Sequence, residues 1–288
     1  MSGKKFYLQG KDLKKEINRS DKPLRIEWNM LYTCNYRCPH CIFEGKWEEY
    51  GKRNRYVPVP EMMGIWNNIF KDHGRAEIVI SGGEPFLYPD FIELIRELSK
   101  VHYPINISTN SSGDLKRFTE RIDPERVSLT LSFQPGFDTI EAVLERKKFL
   151  KERGFSSDYI NFCAYPPYLD KLDEYTSKAE ARGEILKVIP YNGPYKGVNY
   201  PDGYTAAEKE KLGINSQWEK NVRKKGTLCA AGQRSALIFP DGNVARCGQI
   251  GEKLVIGNIF EAGFHLMENP MICDSEICPC TAAIPVEM

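Results

Sequence analysis

The sequence predicts an α/β protein: a partial (β/α)6 barrel followed by a small β-hairpin and helix unit. Three observations predict it. From Leu24 to about Ile189, six short apolar runs rich in β-branched residues alternate with amphipathic segments of helical period, the pattern of repeated β-α units around a parallel sheet. The alternation stops at Pro190, and the nine cysteines fall mainly into two groups, one near each end of the chain.

The strands, in order, are LRIEWNML from Leu24, EIVIS from Glu77, INIST from Ile105, VSLTLSF from Val127, YINFCAY from Tyr159 and ILKVIP from Ile185. The helical segments between them are PEMMGIWNNIFKDHG, DFIELIRELSKVH, GDLKRFTERI, DTIEAVLERKKFLKERG and YLDKLDEYTSKAEARG, four of which close on a Gly or His end signal. Six parallel strands with outer helices can curl into an incomplete barrel, here residues 24–195 after an N-terminal extension of residues 1–23. Residues 196–225, rich in Gly, Pro and Tyr at their start, are expected to be a linker. In the last unit, residues 226–288, SALIFPDGNVARCG is expected to be a hairpin turned at Pro240-Asp241-Gly242, and KLVIGNIF one more short strand.

With 40 Lys and Arg against 39 Asp and Glu, the net charge of +1 offers no electrostatic reason for a nucleic-acid or membrane partner. No uninterrupted apolar span is long enough to cross a bilayer, so a cytoplasmic protein is expected. In that compartment nine cysteines are more in keeping with metal binding or buried thiols than with disulfides.

Cys34, Cys38 and Cys41 crowd into one loop, YTCNYRCPHCIFEG, directly after the first strand. Four thiolates saturate a cubane iron–sulfur cluster, and three leave one iron open to an exogenous ligand. The alternatives are a zinc site completed by His40 or a distant residue, or three buried thiols; His40 adjoins Cys41, which makes shared coordination awkward.

Cys34-x3-Cys38-x2-Cys41, with Tyr36 two residues before the second cysteine, resembles the signature of the radical S-adenosylmethionine (SAM) enzymes. The resemblance implies a 4Fe-4S cluster whose open iron chelates SAM, and reductive cleavage of SAM to a 5′-deoxyadenosyl radical. Gly82, Gly83 and Glu84, followed by Pro85 at the end of the second strand, resemble the family's Gly-Gly-Glu motif, which implies a site for the SAM amino group. Two glycines allow close backbone approach at a strand end. Ser108 and Asn110 at the end of the third strand and Ser132 in the fourth are similarly placed to relatives' SAM contacts. Gln134 stands where relatives often carry an acid. These positions lie at the C-terminal strand ends, where barrel sites form.

Cys229, Gly242 and Cys247, with Cys273, Cys278 and Cys280 in CDSEICPC, resemble the auxiliary-cluster units, SPASM or its shortened twitch form, found behind some radical SAM barrels. The resemblance implies one auxiliary 4Fe-4S cluster held by four of these five cysteines; the alternative is a zinc knuckle stapling a thin C-terminal core. Cys163, alone in the fifth strand, reads as a buried apolar thiol. Residues 1–23 carry none of the resemblance and are fewer than a leader-binding winged helix needs, which weighs against a ribosomal-peptide substrate.

The reading that follows is a dehydrogenase-like radical SAM oxidoreductase, reduced by flavodoxin or ferredoxin, that oxidises a C–H bond of a small polar molecule (sugar, cyclitol or nucleotide-linked), with the auxiliary cluster accepting an electron. Gln134, Tyr165, Tyr168, Tyr191, Asn192 and Tyr195 are expected to line its pocket. No general base is singled out. The alternatives are a peptide- or protein-modifying maturase and, in another class, a zinc-stabilised binding protein without catalysis.

Overall fold

The computed structural model describes residues 24–214, 225–248 and 251–275. Six parallel strands form its frame: β1 (Leu24–Leu31), β2 (Ala76–Gly82), β3 (Ile105–Thr109), β4 (Val127–Phe133), β5 (Ile160–Ala164) and β6 (Leu186–Pro190). Each pairs in parallel with the next in sequence, so every connection must cross over, and each does so through a helix. In chain order the helices are α1 (Trp47–Gly51), inside the cysteine loop, α2 (Val59–His73), α3 (Phe91–Val101), α4 (Leu115–Arg121), α5 (Ile140–Lys151) and α6 (Leu172–Glu180). The sheet is open, and the expected partial barrel is the architecture found.

Alternation within the strands divides the sheet into two unlike faces. Ile26, Trp28, Ile78, Ile80, Leu129 and Phe162 are buried and turn toward the helices, as in the Trp28–Trp66 pair at 5.2 Å and the packing of Phe133 and Phe162 on Tyr175. The opposite face carries Asn29, Ser81, Asn106, Ser128 and Thr130. These bond to one another, Ser81 Oγ donating to Asn29 Oδ1 at 2.6 Å and Asn106 Nδ2 to Ser128 Oγ at 2.9 Å. A parallel sheet covered on both faces by apolar layers would read as continuous hydrophobic runs. Here one polar residue in two marks a wet inner face.

Beyond β6 the chain makes a small hairpin, β7 (Gly193–Tyr195) with β8 (Val198–Tyr200), and the short helix α7 (Ala206–Lys211). A two-residue strand, β9 (Leu228–Cys229), follows. The hairpin expected around Pro240-Asp241-Gly242 is β10 (Ser235–Ile238) and β11 (Asn243–Ala245), and the further strand is β12 (Val255–Asn258). The last, β13 (Met271–Ile272), pairs with β9.

Sequence patterning gives no sign that β10 docks in parallel on the free edge of β1 and so extends the barrel sheet to nine strands, in the order β12-β11-β10-β1-β2-β3-β4-β5-β6. The reason lies in its burial. Ala236, Leu237 and Ile238 are all buried, so both faces of β10 are covered and no alternation marks its partner.

A charged clamp ties the C-terminal hairpin to the cysteine loop. Arg53 donates from Nε and Nη2 to Asp241 Oδ2 at 3.1 and 2.7 Å and reaches Glu252 at 2.8 Å, while Arg55 N–H donates to Pro240 O and its guanidinium lies over the Phe260 ring at 4.0 Å. Asp241→Asn keeps Oδ1 as the acceptor for Asn243 N–H but removes the charge and puts an NH2 donor where Oδ2 accepted both Arg53 bonds. It is expected to cost about 1 kcal/mol in urea denaturation, because the pair is partly solvated. Among the described residues no helix is long and apolar enough to cross a membrane.

Candidate active site

The cysteine loop leaves β1 at Leu31 and is pinned at its root by the end of β2. Gly83 N–H donates to Leu31 O at 2.6 Å and Glu84 N–H to Thr33 O at 3.0 Å. A Cβ on Gly82, which holds φ at +131°, would lie 2.3 Å from Leu31 O, and one on Gly83 would lie 2.0 Å from Thr33 O. The two glycines are therefore demanded first by backbone pressing on backbone, whatever ligand lies above them.

Past this root the loop turns back in three tight steps, with Cys41 N–H donating to Cys38 O, Glu44 N–H to Cys41 O and Lys46 N–H to Phe43 O. Asn35 joins it to the β3 end, accepting from Asn110 Nδ2 at 2.9 Å and donating to Ser112 Oγ at 2.8 Å. Tyr36 stacks on Phe137 with ring centres 4.8 Å apart, and Arg37 lies over Trp47.

The result is a cavity of about 630 Å³, open mouth included, floored by Cys34, Cys38 and Cys41. Its walls are the C-terminal strand ends: Ser81, Gly82 and Gly83 from β2, Ser108, Thr109 and Asn110 from β3, and Ser132 and Gln134 from β4. Of the residues expected to hold SAM, Gly82, Gly83, Ser108, Asn110 and Ser132 thus share one cavity with the three thiols. Burial pushes all three thiol pKa values up, Cys38 to about 12, and the neighbouring cysteines add to the shift at Cys38 and Cys41. Thiols placed together yet held protonated gain most from a metal centre that takes them as thiolates.

Glu84 and Pro85, also expected to hold SAM, lie behind the cavity wall and not in its lining. Glu84 is wholly buried, and its carboxylate accepts from Thr109 Oγ1 at 2.6 Å, Asn110 N–H at 2.7 Å and Phe86 N–H at 3.2 Å, while Pro85 opens the 3-10 turn that follows. The side chain locks the β2 end to the β3 end, with three of the roughly four lone-pair sites of its carboxylate taken by these bonds. Burial raises its pKa against these three bonds. Glu84→Ala strands the Thr109 hydroxyl and the Asn110 amide, and a loss of about 3 kcal/mol in thermal or urea unfolding is expected, with loosened ligand binding beside it.

The tyrosines are placed differently from the expectation. Tyr165 and Tyr168 do not reach the cavity; they pack on the far side of His40, with centroids at 5.5 and 5.9 Å, and Tyr191 and Tyr195 pack on Tyr165 in turn. Asn192 also lies outside the lining. Gln134 does line it, and its Oε1 sits 2.8 Å from His40 Nε2.

His40 itself is a functional candidate that sequence reasoning sets aside as a poor zinc ligand. It lines the cavity, burial depresses its pKa and keeps the ring neutral, and with Nε2–H committed to Gln134 its Nδ1 is a buried acceptor with no partner. An orphaned acceptor beside three thiols fits a polar ligand over the loop. The aromatic character of its surroundings is legible in the sequence; the Gln134 bond, 94 residues away, is not. Cys163 is half-buried on the inner sheet face, its thiol pushed up to about 12 by burial with a contribution from Cys41.

In the second cysteine group the structure brings Cys229, Cys247 and Cys273 into one small cluster around Ala231. Cys278 and Cys280 lie outside the described residues. Among the described residues no three His, Cys, Asp or Glu side chains converge as ligands of a single metal ion.

Residues 28–154 match the family model described as the radical SAM superfamily. The mycofactocin maturase MftC of Mycolicibacterium smegmatis is 24% identical over 281 residues, spanning 84% of this chain and 69% of that protein. The antilisterial bacteriocin subtilosin biosynthesis protein AlbA of Bacillus subtilis is 21% identical, spanning 88% of this chain and 62% of that protein. Among solved structures, Streptococcus suis SuiB bound to S-adenosylmethionine aligns with a TM-score of 0.57 at 17% identity, covering 84% of this chain and 64% of that one. The enzyme anSMEcpe with bound AdoMet aligns at 0.60 and 17%, covering 83% and 75%. The chain thus spans roughly two thirds to three quarters of the length of these relatives, and the structural likeness is one of fold.

Proposed function

Because the chain belongs to the radical SAM superfamily, we propose that it is a maturase, acting on a peptide or protein side chain by oxidation at a C–H bond. The family uses a 4Fe-4S cluster and SAM, and its SPASM and twitch members carry auxiliary clusters. The observation that carries the finer reading is the reach of the alignments. MftC and AlbA, named as a maturase and as a bacteriocin biosynthesis protein, align over 84% and 88% of this chain, well beyond the 127 residues (28–154) of the family match. The small-molecule reading has less support, since of the residues offered as sugar or cyclitol contacts Gln134 lines the cavity while Tyr165 and Tyr168 pack against His40 outside the lining.

Cys34, Cys38 and Cys41 would hold the cluster, and Gly82, Gly83, Ser108, Asn110 and Ser132 would hold SAM beside it. When bound, the two together supply a one-electron reductive cleavage that yields a carbon radical able to take hydrogen from a substrate. The chain's own part is positional. Asn35 and Asn110 fix the loop against β3, Glu84 fixes β3 against β2, and Gln134 orients His40 so that its free Nδ1 accepts from a polar group in the cavity. Cys229, Cys247 and Cys273, which cluster together, would supply ligands for the auxiliary cluster, and flavodoxin or ferredoxin would supply the electron.

The test is anaerobic incubation of the reconstituted, reduced protein with SAM and, separately, a panel of unmodified precursor peptides and a panel of sugars, cyclitols and nucleotide sugars. The maturase reading expects 5′-deoxyadenosine release stimulated by a peptide, which loses two hydrogens by mass spectrometry. Stimulation by a cyclitol or sugar with none by any peptide overturns it in favour of the small-molecule dehydrogenase.

A further inference from the structure

Arg246 is the most deeply placed charged side chain near the second cysteine group, 1% exposed, and it directly precedes Cys247. Among the described residues, every hydrogen bond its guanidinium makes goes to backbone carbonyls. Nε donates to Ala231 O at 2.9 Å, Nη1 to Ile272 O at 2.8 Å, and Nη2 to Cys229 O at 3.0 Å and to Met271 O. These carbonyls belong to β9 and β13 and the residues flanking them, the two short strands that carry Cys229 and lead into Cys273. One side chain therefore fastens together the segments of all three described cysteines.

No carboxylate among the described residues pairs with it. Removing a guanidinium from water with only carbonyl dipoles around it leaves a net charge uncompensated, at a cost of several kcal/mol in an ordinary protein core. A thiolate-bound iron–sulfur cluster is anionic, and cluster potentials respond to net charge and local hydrogen bonding.

We propose that Arg246 is the positioning residue and counter-cation of the second cysteine site, holding the Cys229, Cys247 and Cys273 segments in register and raising the reduction potential of the cluster they bind. This rests on the reading that these cysteines hold an iron–sulfur cluster. The guanidinium makes the reduced, more negative form easier to reach, as an electron-accepting centre requires. Its length and fork geometry match four carbonyls on two strands.

The experiment uses the full chain with Cys34, Cys38 and Cys41 changed to Ala, so that only the second site is loaded. Iron and sulfide per chain and an EPR-monitored redox titration are compared for this parent, Arg246→Lys and Arg246→Gln. About four irons in the parent establish the cluster on which the proposal rests; a parent without iron overturns that reading and the proposal with it. With the cluster present, the Gln variant is expected to lose at least tenfold in the equilibrium for one-electron reduction, about 59 mV, while Lys stays within that bound. A Gln variant that loads fully at the parent's potential overturns the proposal. If Gln loads nothing, Lys decides: loading near the parent's potential supports the role of the charge, and failure to load, like Gln, overturns it.

Discussion

Cys38→Ala is expected to reduce SAM cleavage to background while leaving the fold and the second cysteine site in place. Cys38 is the middle of three thiols in one cavity, and its neighbours are set by the backbone turns from Cys38 O and Cys41 O, which an alanine preserves. The side chain removed is small and sits at the cavity floor instead of the hydrophobic core, so unfolding should shift by no more than about 1 kcal/mol. Iron would fall by about one cluster per chain, and 5′-deoxyadenosine formation would be lost. Retention of SAM cleavage with Cys38 absent would mean that the triplet is not the site of the chemistry.

Gly83→Ala is expected to be the most damaging substitution of a residue with no side chain of its own. The new methyl would sit 2.0 Å from Thr33 O and 2.7 Å from Tyr32 O, both backbone atoms at the root of the cysteine loop. No rotamer relieves such a contact, because the obstacle is main chain. Either β2 withdraws, breaking the bond from Gly83 N–H to Leu31 O, or the loop lifts and carries Cys34 away from Asn110. A cost of about 3 kcal/mol, at the upper end of overpacking, is expected in urea denaturation, together with weakened cluster retention. Gly64→Ala, with nothing within 4 Å of the new methyl on α2, is the control and should be neutral or slightly stabilising. Equal stability of the two variants would show that the loop root yields without strain.

Much of this site is legible in the sequence. The triplet can be read because its geometry is local: three thiols within eight residues share a loop whatever the fold does elsewhere. Gly82 and Gly83 are legible as a close approach, although the approach is to the loop's own backbone ahead of any ligand. Glu84 is legible only in part, for an instructive reason. A carboxylate after two glycines advertises an acceptor, but only the β2–β3 register shows that Thr109 and Asn110 already occupy it. The tyrosines are misplaced in the same way, since aromatic residues at strand ends serve packing as readily as recognition.

Period, spacing and composition were enough by themselves to determine the parallel α/β class, the alternating strands, the thiol triplet and the grouping of the later cysteines. All of these depend on residues near one another along the chain, where backbone geometry alone decides which atoms share a side. The tertiary structure decided the rest: β10 on the edge of β1, His40 held by Gln134, Glu84 as a brace between strands, Arg246 among four carbonyls. Each joins segments distant in sequence, and which of them meet is set by sheet register and the burial of the whole core, quantities that no local window contains.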